Sequence, residues 1–345
     1  MIRFECDYAE GAHPKVLELL SETNFEQTPG YGVDIYCDKA REMIKELCQS
    51  KEAQVHFLVG GTQTNTTVIA SILRPHQGVL CAETGHINAH ETGAIEATGH
   101  KVLALPSCDG KITAKQIKEA YDAHWTDSSH EHIVQPGMVY ISNPTENGTL
   151  YSKSELQELN KVCIECKLPL FLDGARLGYG LMAEGYDVTM IDIAKYCDVF
   201  YIGGTKVGAL FGEALVIINK ALQKDFRYFI KQNGGMLAKG RLLGLQFIAL
   251  LKDGLYFEVS KKADNLALRI KDAFAKKGIS FLYDSITNQQ FPILTHSQMS
   301  ELAKNYAFTF WGEVDEHHSA VRFCTSWATK EEDVEKLIAD IASLK

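Results

Sequence analysis

The chain has 345 residues, 46% hydrophobic and 23% charged, enough for two packed globular domains with no need of disulfides. Its net charge of −9, from 35 Lys and Arg against 44 Asp and Glu, argues against a nucleic-acid partner, because an acidic surface without a basic stripe repels phosphate backbones. No apolar run reaches bilayer length, Met1–Asp7 has no signal-like basic and apolar pattern, and nine scattered cysteines suit reduced thiols, so a cytoplasmic protein off the membrane is expected.

Seven short apolar runs bounded by Gly, Pro, Asn or Asp predict strands: Val55–Val59, Val79–Ala82, Val102–Leu105, Met138–Ser142, Leu170–Leu172, Val199–Ile202 and Ala214–Ile218. Helical spacing fills most of the gaps, at Thr62–Leu73, Asn88–Thr98, Thr113–His124 and Ser152–Cys166. Ser152 and Glu155 form a capping box that fixes one helix start. Continuous apolar strands interleaved with helices argue for a mainly parallel sheet covered on both faces. The last two strands are joined too closely for a helical crossover and should be antiparallel. The Cys163–Cys166 pair falls on an apolar-periodic helix with no second pair, which reads as packing.

After Lys220 the pattern changes to long helices, Leu237–Leu251 and Leu255–Lys277. Short strands follow at Ser280–Tyr283, Ala307–Phe310 and Ala320–Phe323, then a final helix, Lys330–Leu344. The expected division is an N-terminal segment and large domain over residues 1–240 and a small α+β domain over 241–345.

Three segments carry chemistry, each where a strand gives way to a loop. Gly60-Gly61-Thr62 opens a helix, whose unpaired N–H groups and positive dipole end suit a phosphate. Leu172-Asp173-Gly174-Ala175-Arg176 puts a carboxylate and a guanidinium at the ligand edge of the sheet; a carboxylate beside a pyridine nitrogen favours its protonated form. Tyr201-Ile202-Gly203-Gly204-Thr205-Lys206 embeds a lysine among glycines and apolar residues, where desolvation makes an amine a nucleophile toward a carbonyl. Read singly, each is also compatible with a plain turn, a structural ion pair or a surface hairpin. Their order on one sheet points to pyridoxal phosphate.

With Tyr31-Gly32-Val33-Asp34 and Gly85-His86-Ile87 added, the chain resembles the low-specificity L-threonine aldolases of the β-eliminating lyase group, from about Phe4 to Arg322. That resemblance implies an α/β, PLP-dependent transferase-like fold (aspartate aminotransferase fold type I), with a seven-stranded, mainly parallel sheet and a smaller C-terminal α+β domain. It implies that Lys206 carries pyridoxal 5'-phosphate and that Asp173 partners its ring nitrogen. Arg176 would lie near the 3-oxygen and the substrate carboxylate, Gly61 and Thr62 would bind phosphate, and Thr205 would adjoin the cofactor. His86 would stack on the ring and help to move protons, and Arg322 would hold the substrate carboxylate. Cys6 and Tyr31 would reach the substrate.

The sequence also departs from the bacterial pattern. Cys6-Asp7 replaces Ser-Asp, and Asn143-Pro144-Thr145-Glu146-Asn147-Gly148-Thr149 replaces a histidine-bearing loop, as in a divergent branch that includes phenylserine aldolases. Gly234-Gly235-Met236-Leu237 lacks the usual arginine, a cation that Lys239 or Arg241 would supply to a neighbouring subunit, and Tyr31 is a further candidate to complete that subunit's active site. The resemblance implies a homo-oligomer, dimer-built and extending to a tetramer. His86 and His90 stand four apart, but Asn88, Ala89 and Glu91 supply no third ligand at a familiar spacing, so no metal is expected; His317-His318 reads as surface.

The implied reaction is retro-aldol cleavage of L-threonine, L-allo-threonine and related β-hydroxy-α-amino acids to glycine and an aldehyde. Its base, whether His86, Glu91 or a water, is left open by the sequence. The alternatives are β-elimination, racemisation or transamination on the same cofactor, a non-catalytic protein of the same fold, and a nucleotide-binding oxidoreductase, the last disfavoured by the missing GxGxxG.

Overall fold

The computed structural model describes residues 1–345. All seven expected strands form one sheet: β1 (Gln54–Leu58), β2 (Gln77–Ala82), β3 (Lys101–Leu105), β4 (Gln135–Ser142), β5 (Leu170–Asp173), β6 (Val199–Gly203) and β7 (Glu213–Ile217). Their order is β1-β7-β6-β5-β4-β2-β3. The β2/β3, β2/β4, β4/β5 and β5/β6 pairs are parallel, and β7 runs antiparallel to both neighbours. A sheet buried on both faces explains why β5, β6 and β7 are apolar throughout, broken only where Asp173 and Glu213 stand at their ends.

The helices that shape the site are α1 (Pro14–Glu22), α2 (Ile35–Leu47), α3 (Gly61–Ile72), α4 (Lys153–Cys166), α5 (Arg241–Leu251), α6 (Leu255–Lys276) and α7 (Glu331–Ser343). The capping box opens α4, and Cys163 and Cys166 are buried on its inner side. All nine cysteines are unpaired and seven are buried. No helix is long and apolar enough to cross a membrane.

The structure corrects several expectations. The helix expected over Asn88–Thr98 is two short pieces, His86–Ala89 and Ala94–Ala97, because Thr92 and Gly93 take left-handed backbone angles between them. No strand forms over Ser280–Tyr283; only Phe281 bridges to Pro292. The helix expected from Leu237 begins at Arg241. Helices α1 and α2 were not expected. Asp34 of the Tyr-Gly-Val-Asp string caps α2, accepting from Tyr36 N at 3.1 Å and Cys37 N at 2.9 Å.

The expected division at residue 240 does not match a break in packing. Leu243, Phe247 and Leu250 of α5 join the large core, α6 spans both cores, and Ile2–Arg3 pairs with Tyr306–Ala307 at the far end of the chain. The first residues therefore cross to the small domain and carry Asp7 past the sheet.

Candidate active site

The carboxyl ends of β4, β5 and β6 meet where Asp173 ends β5, directly beside Ser142 of β4. Glycine is required here. A Cβ on Gly174 would sit 1.9 Å from Tyr201 O, and one on Gly203 would sit 2.3 Å from Ala175 O, so only glycines let the Asp173 turn close against β6.

Asp173 is buried and accepts four hydrogen bonds. Its Oδ1 accepts from Tyr201 OH at 2.5 Å and Ala175 N at 3.0 Å; its Oδ2 accepts from Tyr140 OH at 2.6 Å and Asn65 Nδ2 at 3.1 Å. Burial works against its charge. The His86 charge and the Tyr140, Tyr201 and Ala175 donors outweigh burial and hold the carboxyl below its ordinary range.

The same Asn65 amide donates to Glu91 Oε1 at 2.8 Å, and that oxygen lies 2.7 Å from His86 Nδ1. A carboxylate at Nδ1 makes that nitrogen the donor, which leaves Nε2 as the ring's free edge. Burial lowers the proton affinity of His86, but the Glu91 hydrogen bond and the charges of Asp173 and Glu91 raise it overall. His86 N also donates to Glu146 Oε1 at 2.9 Å, and Ser142 Oγ donates to the same oxygen at 2.7 Å. Glu146, in the loop that departs from the bacterial pattern, thus holds the start of the His86 helix.

Lys206 lies in the turn between β6 and β7. Tyr179 OH donates to its carbonyl at 2.6 Å, while its amine has no hydrogen-bond or ion-pair partner in the chain. Burial and then the Arg176 charge push the amine below its ordinary range, against Asp7, Asp173 and Glu213. The Thr205 hydroxyl points into the turn: it donates to Glu213 Oε1 at 2.7 Å and accepts from Gly212 N at 3.0 Å.

The two arginines differ. Arg176 is buried and forked onto Asp7, Nε to Oδ2 at 2.7 Å and Nη2 to Oδ1 at 3.0 Å, while Asn288 Nδ2 donates to Asp7 at 2.9 Å. Burial raises the Asp7 carboxyl, but the Arg176 and Lys206 charges bring it down to about 2. Arg322, on the small-domain strand His318–Cys324, donates to Gln289 Oε1 at 3.2 Å and Glu5 O at 3.0 Å and lies 5.1 Å from the Trp311 ring centre. No carboxylate pairs with it.

Gly60 caps α3 without a side-chain hydrogen bond, so the first N–H groups of that helix remain free beside Gly61 and the exposed Thr62. A Cβ on Gly61 would come within 3.1 Å of Tyr201 OH. Cys6 is half-buried next to Asp7. Tyr31 is not among these groups: it lies against Ala238, Arg227 and Lys231. Arg241 donates to Glu26 O and Asn24 O. Sequence reasoning missed Asp7, Asn65, Tyr140, Tyr201 and Glu213 as parts of the site.

These groups suit pyridoxal phosphate. The free helix N-terminus and the Gly61 cradle suit the phosphate, the ionised Asp173 suits a ring nitrogen, and the unpartnered amine suits the aldehyde. Asn65 Oδ1 and Glu91 Oε2 are buried without partners, polar atoms that a bound ligand could engage.

The chain matches the family described as beta-eliminating lyase over residues 11–295. It is 44% identical to a threonine aldolase of Leishmania major of known structure, covering 99% of each chain with a TM-score of 0.96. A low specificity L-threonine aldolase of Pseudomonas sp. is 28% identical over 99% of this chain and 97% of its own. An aspartate aminotransferase of Thermus thermophilus shares the fold alone, at 13% identity and a TM-score of 0.73 over 99% of this chain and 91% of that one.

Proposed function

This chain belongs to the beta-eliminating lyase family, and from that premise we propose that it cleaves L-threonine, L-allo-threonine and related β-hydroxy-α-amino acids to glycine and an aldehyde. The observation that carries the reading is the joint placement of a partnerless Lys206 amine and an ionised, fully hydrogen-bonded Asp173 at neighbouring strand ends. Bound there, pyridoxal phosphate supplies an electron sink for a bond broken at the substrate Cα.

The roles of the chain's own residues follow from their contacts. Asp173 would face the ring nitrogen with a fixed charge, held in place by the donors of Tyr140, Tyr201 and Ala175. Arg322, free of any acid, holds the substrate carboxylate; Arg176, whose fork is taken by Asp7, offers its remaining Nη1 edge as a second donor. Holding the carboxylate fixes which Cα bond stands in line for cleavage. His86 Nε2 takes the β-hydroxyl proton, because Glu91 already holds Nδ1. Loss of that proton releases the Cβ fragment as an aldehyde, and the Cα fragment, once protonated, is glycine.

Gly61, Thr62 and the first N–H groups of α3 would hold the phosphate, and Cys6 takes the sequence position of the serine of the bacterial pattern. Thr205 serves the lysine turn from within. Tyr31, Val33, Ile35 and Tyr228 are exposed apolar side chains on one side of the chain, with the exposed Lys239 near Tyr31. We read this face as the seat of a second copy in a dimer-built tetramer, to whose active site Tyr31 and Lys239 contribute. The compartment we assign is the cytoplasm.

The test is incubation of the purified holoenzyme with L-threonine and with L-allo-threonine. Equal amounts of acetaldehyde and glycine are expected from both. Formation of 2-oxobutyrate and ammonia instead would reassign the reaction to β-elimination.

A further inference from the structure

Glu213 opens β7 opposite Gly203 of β6, and the turn between them presents Lys206. It is a carboxyl in a dry place, 3% exposed, and both its oxygens are used as acceptors. Oε2 accepts from Gly204 N at 3.0 Å and Oε1 from Thr205 Oγ1 at 2.7 Å. The two residues it grips are those immediately before Lys206. Gly204 N and Thr205 N also donate to Gly212 O, at 3.0 and 3.1 Å, so the turn is closed by main chain and side chain together. A buried carboxyl costs stability unless a nearby cation compensates. It has no salt-bridge partner, and the cation that favours its charge is Lys206.

We propose that Glu213 is the positioning residue of the lysine turn. Its buried carboxylate holds the main chain before Lys206 and, together with Asp7 and Asp173, places negative charge around the turn that presents the Lys206 amine. The proposal rests on the reading that Lys206 carries the cofactor, and it gives Glu213 a role that the reaction described above does not use. Other charges face the pair: Asp173 from the end of β5, Arg176 with Asp7 from the adjoining loop, and the neutral phenols of Tyr201 on β6 and Tyr256 on α6. The Arg176 charge opposes Glu213 at the amine, and Asp173 opposes it at the carboxyl. Burial raises the Glu213 carboxyl to about 7, so its charge is present above that pH and fades below it.

Above pH 7 the ionised Glu213 favours the protonated amine, and removing the charge lets the amine lose its proton at lower pH. Below pH 7 Glu213 is largely neutral and its removal changes little. A purely structural role would shift reactivity equally at every pH.

The experiment uses cofactor-free protein and cyanate, which carbamylates only a neutral amine, with the extent at Lys206 read by peptide mass across pH 6 to 10. The wild-type profile is expected to rise in two steps, the first near pH 7, as for two coupled groups. Glu213→Gln is expected to move the midpoint of the amine down by up to about one unit, the low end of the scale for a nearby opposite charge, and to remove the first step. Glu213→Asp, which keeps the charge, should retain both. In the holoenzyme the pH midpoint of the cofactor's visible absorbance should fall in the Gln variant alone. A single-step wild-type profile would overturn the proposal with no variant needed, and so would equal shifts in Gln and Asp. Because the cyanate profile needs no cofactor, it stands or falls separately from the assignment of Lys206 as the cofactor's lysine.

Discussion

Asp173 and Lys206 stand at the ends of adjacent strands, and the chain treats them in opposite ways. The carboxylate accepts four hydrogen bonds, from two phenols, an amide and a main-chain N–H. The amine three residues past β6 has none, although its main chain is clamped by Tyr179 and by the turn. A group that must keep one charge is fixed by donors that stabilise that charge. A group that must exchange its bonding partner is held by its backbone while its reactive atom is left free. The two arginines repeat the contrast, Arg176 bound to a buried acid and Arg322 to neutral acceptors.

The contrast breaks or sharpens through variants. The largest effect is expected from Lys206→Ala, which should abolish both threonine cleavage and the cofactor's visible absorbance band; retained cleavage would remove the amine from the account. Asp173→Asn should lower kcat by roughly 10²- to 10³-fold, the scale for losing one preorganised electrostatic group, with the lysine still labelled by cofactor. Asp7→Ala leaves Arg176 buried and unpaired and should cost about 3–5 kcal/mol in urea unfolding, with a smaller effect where the fold relaxes. Arg322→Ala should raise KM about tenfold to a hundredfold, the worth of a charged hydrogen bond, and lower kcat as well, because the carboxylate it holds orients the Cα bond to be broken.

The smallest change is expected from Tyr201→Phe or Tyr140→Phe, each removing one donor from Asp173 and weakening cofactor binding about fivefold. Asp7 also gives a pH signature. Its folded pKa of about 2 lies below the ordinary 3.8, so its stabilising contribution is fully present above about pH 4 and is lost as pH falls through about 2. Wild-type protein should lose stability over that acid range more steeply than Asp7→Asn, as followed by circular dichroism.

What was legible in the sequence follows the same division. Strand runs, the Ser152 capping box and the motifs at Gly60, Asp173 and Lys206 are local, so spacing alone located them. The partners of Asp173 are not local: Tyr140 and Tyr201 reach it from flanking strands, and Asn65 from a helix more than a hundred residues earlier. A signal existed, since a tyrosine within a buried apolar strand needs a partner for its hydroxyl. Asp7 and Glu213 were harder, because each looks like an ordinary acid until the fold brings Arg176 or the lysine turn against it. The broken helix after His86 was misread because Thr92 gives no warning of a left-handed backbone, and that break is what lets Glu91 fold back onto the histidine. Packing, not composition, carried the first residues over to the small domain, through the pairing of Ile2–Arg3 with Tyr306–Ala307.

The most direct measurement is borohydride reduction of the holoenzyme followed by peptide mapping of the pyridoxyl label. The label is expected on Lys206 in the wild type and in Asp173→Asn alike, in the peptide spanning Gly203–Gly208. A label on any other lysine, or none on protein that still releases acetaldehyde from L-threonine, would contradict the assignment of Lys206 as the cofactor's lysine.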